Sequence, residues 1–68
     1  MSTKNSPLSK RETQVLELMC ADVKRKEIAT ILNISPHTVA VHTQTIKHKI
    51  GTKTTLGAAV RALREGWL

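Results

Sequence analysis

The sequence of 68 residues has almost no aromatic residues and only one cysteine. It has no phenylalanine or tyrosine and a single tryptophan, so we expect a core of aliphatic side chains. Its one cysteine, Cys20, excludes a disulfide within the chain and is typical of a reducing compartment, which predicts a cytoplasmic location. No run of about 18 apolar residues occurs, so we expect neither a membrane-spanning helix nor a secretion signal.

Acidic residues are scarce as well. Five Asp and Glu stand against eleven Lys and Arg, which gives the chain a net charge of +6. An excess of positive charge on a small domain favours a nucleic acid or another anionic surface as its partner. The cations concentrate in residues 24–26 and again in residues 47–53. The alternative that charge alone leaves open is a solvated basic face without a partner.

The chain does contain a series of helix signals over residues 8–68, which follow a polar and flexible N-terminal arm at residues 1–7. A chain of this length forms one small domain and has no room for a large enclosed active site. Apolar residues at helical spacing predict an all-α domain without strands. The four predicted helices run from Ser9 to about Ala21, over 25–32, over 36–50, and from Thr54 or Thr55 to Glu65.

The start of the third helix carries the strongest of these signals. Ser35 can accept a hydrogen bond from a free backbone N–H, and Pro36 fits the first helical position, where no N–H is missed. The first helix begins with a capping box formed by Ser9 and Glu12. The second and third helices are separated only by a short break at Asn33. They therefore form a helix-turn-helix, whose second helix can enter a DNA major groove.

The third helix has two sides of different character. At about 100° per residue, one side carries Val39, Ile46 and Ile50, and we expect this side to face the core. The opposite side is polar or small, which suits a helix that presses into a groove. Its members are His37, Ala40, Val41, Gln44 and His48.

Several segments lie in a fixed order and spacing across residues 8–68. They are Leu8-Ser9-Lys10-Arg11-Glu12, Val15-Leu16, Lys26-Glu27-Ile28-Ala29, Ile34-Ser35-Pro36-His37-Thr38-Val39, His42 and Lys49-Ile50-Gly51. Together they resemble the LuxR-type helix-turn-helix, a family that includes the output domains of NarL/FixJ-type response regulators. The resemblance implies a four-helix bundle, in which the third helix reads the major groove and the fourth often pairs two copies on DNA.

The chain departs from the family pattern at several positions. The family commonly has Gly at the position of Asp22, Ser or Thr at Lys24, and Lys or Arg at Ala40. The residues Thr43 and Thr55 also differ from those usual in the family. A cation at position 24 opposes the macrodipole at the start of the second helix. An apolar residue at position 40 restricts a base contact there to a thymine methyl.

We expect base contacts on the outer side of the third helix and phosphate contacts around two helix starts. Gln can bond both the acceptor and the donor of adenine, and Val can contact a thymine methyl. Free N–H groups at a helix start favour phosphate. Solvent-facing side chains at 41 and 44, and a bond within the turn at 38, are the alternatives. The predicted base contacts are Ala40, Val41 and Gln44, and the predicted phosphate contacts are Lys24, Lys26, His37, Thr38 and Lys47.

Small residues on the fourth helix predict how two copies pair. Ala58 and Ala62 form a side on which two helix backbones can approach closely, with Arg61 beside them. These three residues are the predicted dimer interface. The alternative is that the small-residue side is a thinly packed surface.

Catalytic and metal chemistry finds little support in the sequence. The three histidines do not converge on one helix side, and no cysteine pair accompanies them, so we expect neither a metal nor another cofactor. Cys20 lies near the end of the first helix, where we expect it to be buried and inert. Ser35 has no oriented base, and a helix cap explains it fully. We therefore expect a protein that is not an enzyme.

Two classes of function remain. The first is sequence-specific binding of double-stranded DNA by a bacterial transcription regulator that pairs on DNA and works beside RNA polymerase. The second is a protein-interaction module resembling the C-terminal helix-turn-helix region of a sigma factor, which docks on polymerase. The segment from Ser35 to Val39 favours the first class. The salt dependence of binding to random DNA separates the two, because phosphate contacts give a steep slope.

Overall fold

The computed structural model describes residues 5–68, and these form four α-helices without a β-strand. The all-α prediction and the positions of the four helices are confirmed. Of the predicted arm at residues 1–7, residues 1–4 lie outside the described residues. The helices are α1 (Lys10–Cys20), α2 (Arg25–Leu32), α3 (Pro36–Ile50) and α4 (Thr55–Glu65).

Hydroxyl side chains cap three of the four helices at their starts. Ser9 Oγ accepts a hydrogen bond from the Glu12 N–H at 3.1 Å, and the Glu12 carboxylate accepts one from the Ser9 N–H, which completes the predicted capping box. Ser35 Oγ accepts from the Thr38 N–H at 3.0 Å, with Pro36 at the first helical position. Thr54 Oγ1 accepts from the Gly57 N–H at 2.9 Å. These bonds satisfy backbone donors that have no partner within the helix.

The corner before α2 has no side-chain cap and contains a residue with a left-handed backbone. The Lys24 side chain makes no cap bond, and the Glu27 carboxylate accepts from the Lys24 N–H instead, at 3.2 Å. Asp22 has a left-handed backbone with φ of 63°, a conformation that Asp tolerates better than most side chains. Glycine would adopt this backbone without strain, so Asp22 keeps the turn at some cost.

The core consists of aliphatic side chains that surround α3. This helix packs against each of the other three helices, and Val39 and Ile46 are fully buried at its inner side. The sequence-based assignment of the inner side is therefore confirmed. The buried apolar residues are Leu8, Val15, Leu16, Ile28, Ala29, Val39, Ile46, Ile50, Ala58 and Ala62.

The burial of Ala58 and Ala62 corrects the expected dimer interface. Both residues are fully buried in the chain's own core, so their side chains are not available to a second copy. The small residues do permit close approach, but the neighbour is α3 of the same chain. Of the predicted interface residues, only Arg61 remains exposed, and it pairs with Glu65 at 3.2 Å.

Glu12 is a buried carboxylate that joins the first turn of α1 to the last turn of α3. Its Oε1 atom accepts from the Ser9 N–H and from Lys49 Nζ, each at 2.8 Å. Burial acts to raise the pKa of Glu12. The hydrogen bonds from Lys49 and Ser9 and the charge of the Lys49 ammonium outweigh burial and lower the pKa below its usual value of 4.5. The carboxylate is therefore the stable form in the folded chain.

Replacement of Val39 by Ala tests the assignment of the inner side of α3. Val39→Ala should lower the free energy of unfolding by about 2 kcal/mol, because it leaves a cavity in a closed core. Val41→Ala is the matched control, because Val41 is 49% exposed on the same helix. It should change stability by less than about 0.5 kcal/mol. Urea titration measures both, and equal losses would contradict the assignment.

Replacement of Glu12 by Gln tests the ion pair. A lowered pKa in the folded state means that the carboxylate stabilises the fold above pH 4.5 and that this contribution is lost as the pH falls through the folded-state pKa. Glu12→Gln should cost about 1–2 kcal/mol at neutral pH and flatten the acid dependence of unfolding. Glu17→Gln, at an exposed position of α1, should alter neither quantity. An unchanged acid dependence in Glu12→Gln would refute this role.

Candidate nucleic-acid interface

The outer side of α3 is the part of the helix that other elements leave uncovered. His37, Val41, Gln44 and His48 are exposed, and Ala40 is half-buried. Since Val39, Ile46 and Ile50 hold the opposite side in the core, the direction in which these side chains project is fixed. The structure thus brings the three predicted base-contact residues together on one exposed surface.

A tight turn sets the start of α3 beside the end of α2. Asn33 has a left-handed backbone with φ of 58°, and the Ile34 N–H donates to the Ala29 carbonyl at 2.9 Å. The Arg11 guanidinium of α1 donates to the Leu32 carbonyl at 3.3 Å, which adds a partner for the last turn of α2. The three residues 33–35 between the helices complete a helix-turn-helix.

Thr38 takes part in the cap of α3. Its N–H donates to Ser35 Oγ, and the two hydroxyl oxygens lie 2.9 Å apart in a second hydrogen bond. This geometry supports the alternative that Thr38 bonds within the turn. The hydroxyl keeps one further lone pair for another partner.

The positively charged side chains near α2 and α3 form two groups that differ in exposure and pairing. Lys24, Arg25 and Lys26 are exposed and line a shallow groove at the start of α2. Lys47 is half-buried on the flank of α3, whereas the ammonium of Lys49 is held by Glu12. The sequence from 28 to 64 contains no Asp or Glu at all. The helix α3 therefore carries no carboxylate of its own.

The histidines and the cysteine of the chain lie apart. Within residues 5–68 no group of three or more His, Cys, Asp or Glu is arranged to hold a metal ion. His37 and His48 point outward, while His42 is half-buried.

The expectation of a buried Cys20 is wrong, since Cys20 is exposed at the last residue of α1. Partial burial and the nearby charge of Glu17 nevertheless raise the pKa of its thiol, which disfavours the reactive thiolate.

The outward side of α4 is an exposed apolar surface that sequence reasoning did not assign to a site. Leu56 is 75% exposed and Leu63 is 60% exposed, with Val60 between them. Together with Met19 and Cys20 of α1 they line a groove. The signal for this surface was present in the spacing, because burial of the alanine side leaves the leucine side outward.

No helix within residues 5–68 has the length and apolar character that crossing a bilayer requires.

Comparison with known proteins gives consistent matches over nearly the whole chain. The family model described as bacterial regulatory proteins, luxR family, matches residues 6–62. The transcriptional regulatory protein UhpA of Escherichia coli is 39% identical over 66 residues, which are 97% of this chain and 33% of UhpA. The spore germination protein GerE of Bacillus subtilis is 44% identical over 61 residues, which are 90% of this chain and 82% of GerE.

The solved structure of the transcription factor GerE has the same fold. It superposes with a TM-score of 0.89 at 33% identity and covers 94% of this chain and 96% of the solved one. The chain thus spans about a third of the length of UhpA and most of the length of GerE. The family resemblance that the sequence predicts is confirmed, and the chain belongs to the luxR family of bacterial regulatory proteins.

Proposed function

We propose that this domain binds specific sequences of double-stranded DNA in the control of bacterial transcription, with α3 in the major groove. The observation that carries the proposal is the exposed outer side of α3, which projects from a helix held in place by three others. A helix of 15 residues backed by a packed bundle meets the geometric need of groove entry. The proposed role is binding rather than catalysis, and the proposed location of the domain is the cytoplasm.

The base contacts in this proposal come from Ala40, Val41 and Gln44. The amide of Gln44 has both a donor and an acceptor for an adenine edge, and the methyl groups of Ala40 and Val41 suit the methyl of thymine. No permanent charge stands among these three side chains. The preferred sites should therefore be rich in A·T pairs.

The phosphate contacts come from the positive groups around this side. Lys24 and Lys26 are exposed at the start of α2, and Lys47 is half-buried on α3. His37 and Thr38 lie in the first turn of α3, where the helix dipole favours an anion. These contacts fix the position of the domain on the duplex without reading its sequence.

Salt dependence tests the function directly. Affinity for any duplex should fall steeply as salt rises, by a slope of about 0.9 in log–log form for each neutralised phosphate. Lys24→Ala, Lys26→Ala and Lys47→Ala should each reduce the slope by about one contact on specific and random DNA alike. Arg64→Ala, on the outward side of α4, is the control and should leave the slope unchanged. A salt-independent affinity would sink the DNA proposal and favour the sigma-factor-like protein module.

Gln44 should act as a base reader. Gln44→Ala should cost about 1–3 kcal/mol on the best site and much less on random DNA, because only a matched adenine edge is lost. Affinities on a panel of single base substitutions measure the effect. An equal loss on every duplex would show that Gln44 does not read bases.

Pairing on DNA is part of the same proposal, with a changed interface. We place the contact between copies on the exposed apolar side of α4, formed by Leu56, Val60 and Leu63, with Arg61 at its edge. These side chains lose contact with water when two copies meet, which favours pairing. Half-sites should lie roughly one turn of DNA apart. The proposal also includes a contact with RNA polymerase. Ile31 of α2 is exposed and lies outside both the outer side of α3 and the apolar side of α4.

Sedimentation of the complex tests the pairing. Two copies should occupy the best duplex at saturation, and Leu63→Asn should weaken entry of the second copy by about 1–3 kcal/mol through lost apolar burial. Ile31→Asn, at an exposed apolar position of α2 outside both surfaces, should change it little. A single copy on the best duplex at saturation would reject the pairing.

A further inference from the structure

Ile31 is an exposed apolar side chain of α2 that lies between two shallow grooves. It is 59% exposed, whereas Ile28 on the inner side of the same helix is fully buried. The first groove runs between α1 and α2, and the second follows α2 toward its start. Glu17, Leu18 and Leu32 line the first, and Val23, Lys26 and Glu27 line the second. The two grooves and the Ile31 side chain between them are called the α1–α2 surface below.

The unpaired carboxylates of the chain gather at this surface. Of the five acidic residues, two pair with a lysine or an arginine. The other three are exposed and form no ion pair within residues 5–68, and they are Glu17, Asp22 and Glu27. Glu17 and Glu27 line the grooves, and Asp22 lies at the corner between the two helices. An apolar centre with negative charge at its edge therefore faces solvent.

One cation shares the lining of these grooves. Within residues 5–68, Lys26 is the only lysine or arginine that lines either of them. In the proposed complex with DNA, a phosphate engages Lys26. The nearby Arg11 guanidinium of α1 donates to the Leu32 carbonyl. When the domain is on DNA, Glu17 and Glu27 therefore have no cation in the groove lining left to offset their charge.

The α1–α2 surface is not suited to DNA itself. Helix α1 holds Val15 and Leu16 in the core, so Glu17 projects on the other side of that helix. Helix α2 likewise buries Ile28 and exposes Ile31. Both strands of a duplex carry negative phosphates, which a surface edged with carboxylates repels. The charge of the surface is instead complementary to a partner with cations.

We propose that the α1–α2 surface binds a protein partner that presents an apolar side chain flanked by Lys or Arg, and that the domain contacts RNA polymerase here. The inference rests on the proposed function, of which a polymerase contact is part. Contact of Ile31 with an apolar group removes both from water. Cations of the partner then meet Glu17 and Glu27 at the edge, which favours the correct orientation. The exposed apolar side of α4 has Arg61 and Arg64 on the same helix, so it suits this partner less.

The test is the binding of bacterial RNA polymerase holoenzyme to the immobilised chain, measured by biolayer interferometry. Ile31→Asn should weaken this binding at least about fivefold, because the apolar centre of the contact is lost. Leu63→Asn is the matched control, since Leu63 is 60% exposed on α4 and the change is likewise from apolar to polar without a change in charge. It should leave polymerase binding unchanged. Equal losses in the two variants, or no loss in Ile31→Asn, would overturn the proposal.

Changes of charge in the groove between α1 and α2 test the chemistry of the partner. Glu17→Lys should weaken polymerase binding about two- to fivefold. Gln14→Glu adds a carboxylate to the lining of the same groove and should strengthen binding by up to about twofold. Both positions are exposed on α1, and circular dichroism confirms that each variant is folded. Stronger binding in Glu17→Lys, or no change in either variant, would contradict a basic partner.

Duplex affinity of the same variants, measured by fluorescence anisotropy, separates this inference from the proposed function. Ile31→Asn should bind DNA within about twofold of the unaltered chain, because an exposed side chain outside the interface is changed. Duplex binding by the unaltered chain without polymerase binding overturns the inference and leaves DNA binding intact. Absence of duplex binding refutes the proposed function, and a polymerase contact that depends on Ile31 would then support the α1–α2 surface in a sigma-factor-like module.

Discussion

The burial of the inner side of α3 is the constraint on which the rest of the structure depends. Val39 and Ile46 are completely enclosed, and the three other helices contribute the side chains that enclose them. Fixing one side of a helix fixes the opposite side too, because the side chains are rigidly spaced around it. The inner side of α3 therefore stabilises the fold, and its outer side serves recognition. Recognition requires that the inner side be buried.

The fourth helix shows how residue size divides one element between two tasks. Ala58 and Ala62 let α4 lie close to α3, and both are fully buried there. The same rotation of the helix turns Leu56, Val60 and Leu63 toward solvent. A chain with so little core would gain stability from burying these side chains inward. Their exposure leaves an apolar surface on the outward side of α4.

Local chemistry made much of this fold predictable from the sequence. The caps at Ser9 and Ser35 and the stop at Gly51 depend on neighbours in sequence, so the helix ends follow from residue types alone. The exposure of Cys20 and the burial of Ala58 depend instead on which helix lies opposite. Periodicity defines the sides of a helix but does not say which neighbour each side meets. The pairing of Lys49 with Glu12, which are 37 residues apart, is missed for the same reason.

The pairing of Lys49 with Glu12 has a consequence for how the domain unfolds. A single oxygen of Glu12 serves the first turn of α1 and the last turn of α3, so neither end can fray without leaving the buried Glu12 carboxylate short of a partner. Closing the intervening loop costs entropy that only the assembled core offsets. The two ends should therefore form and melt together, as one cooperative unit. A fragment that began after α1 would keep every residue of α3 and still lack an ordered recognition surface.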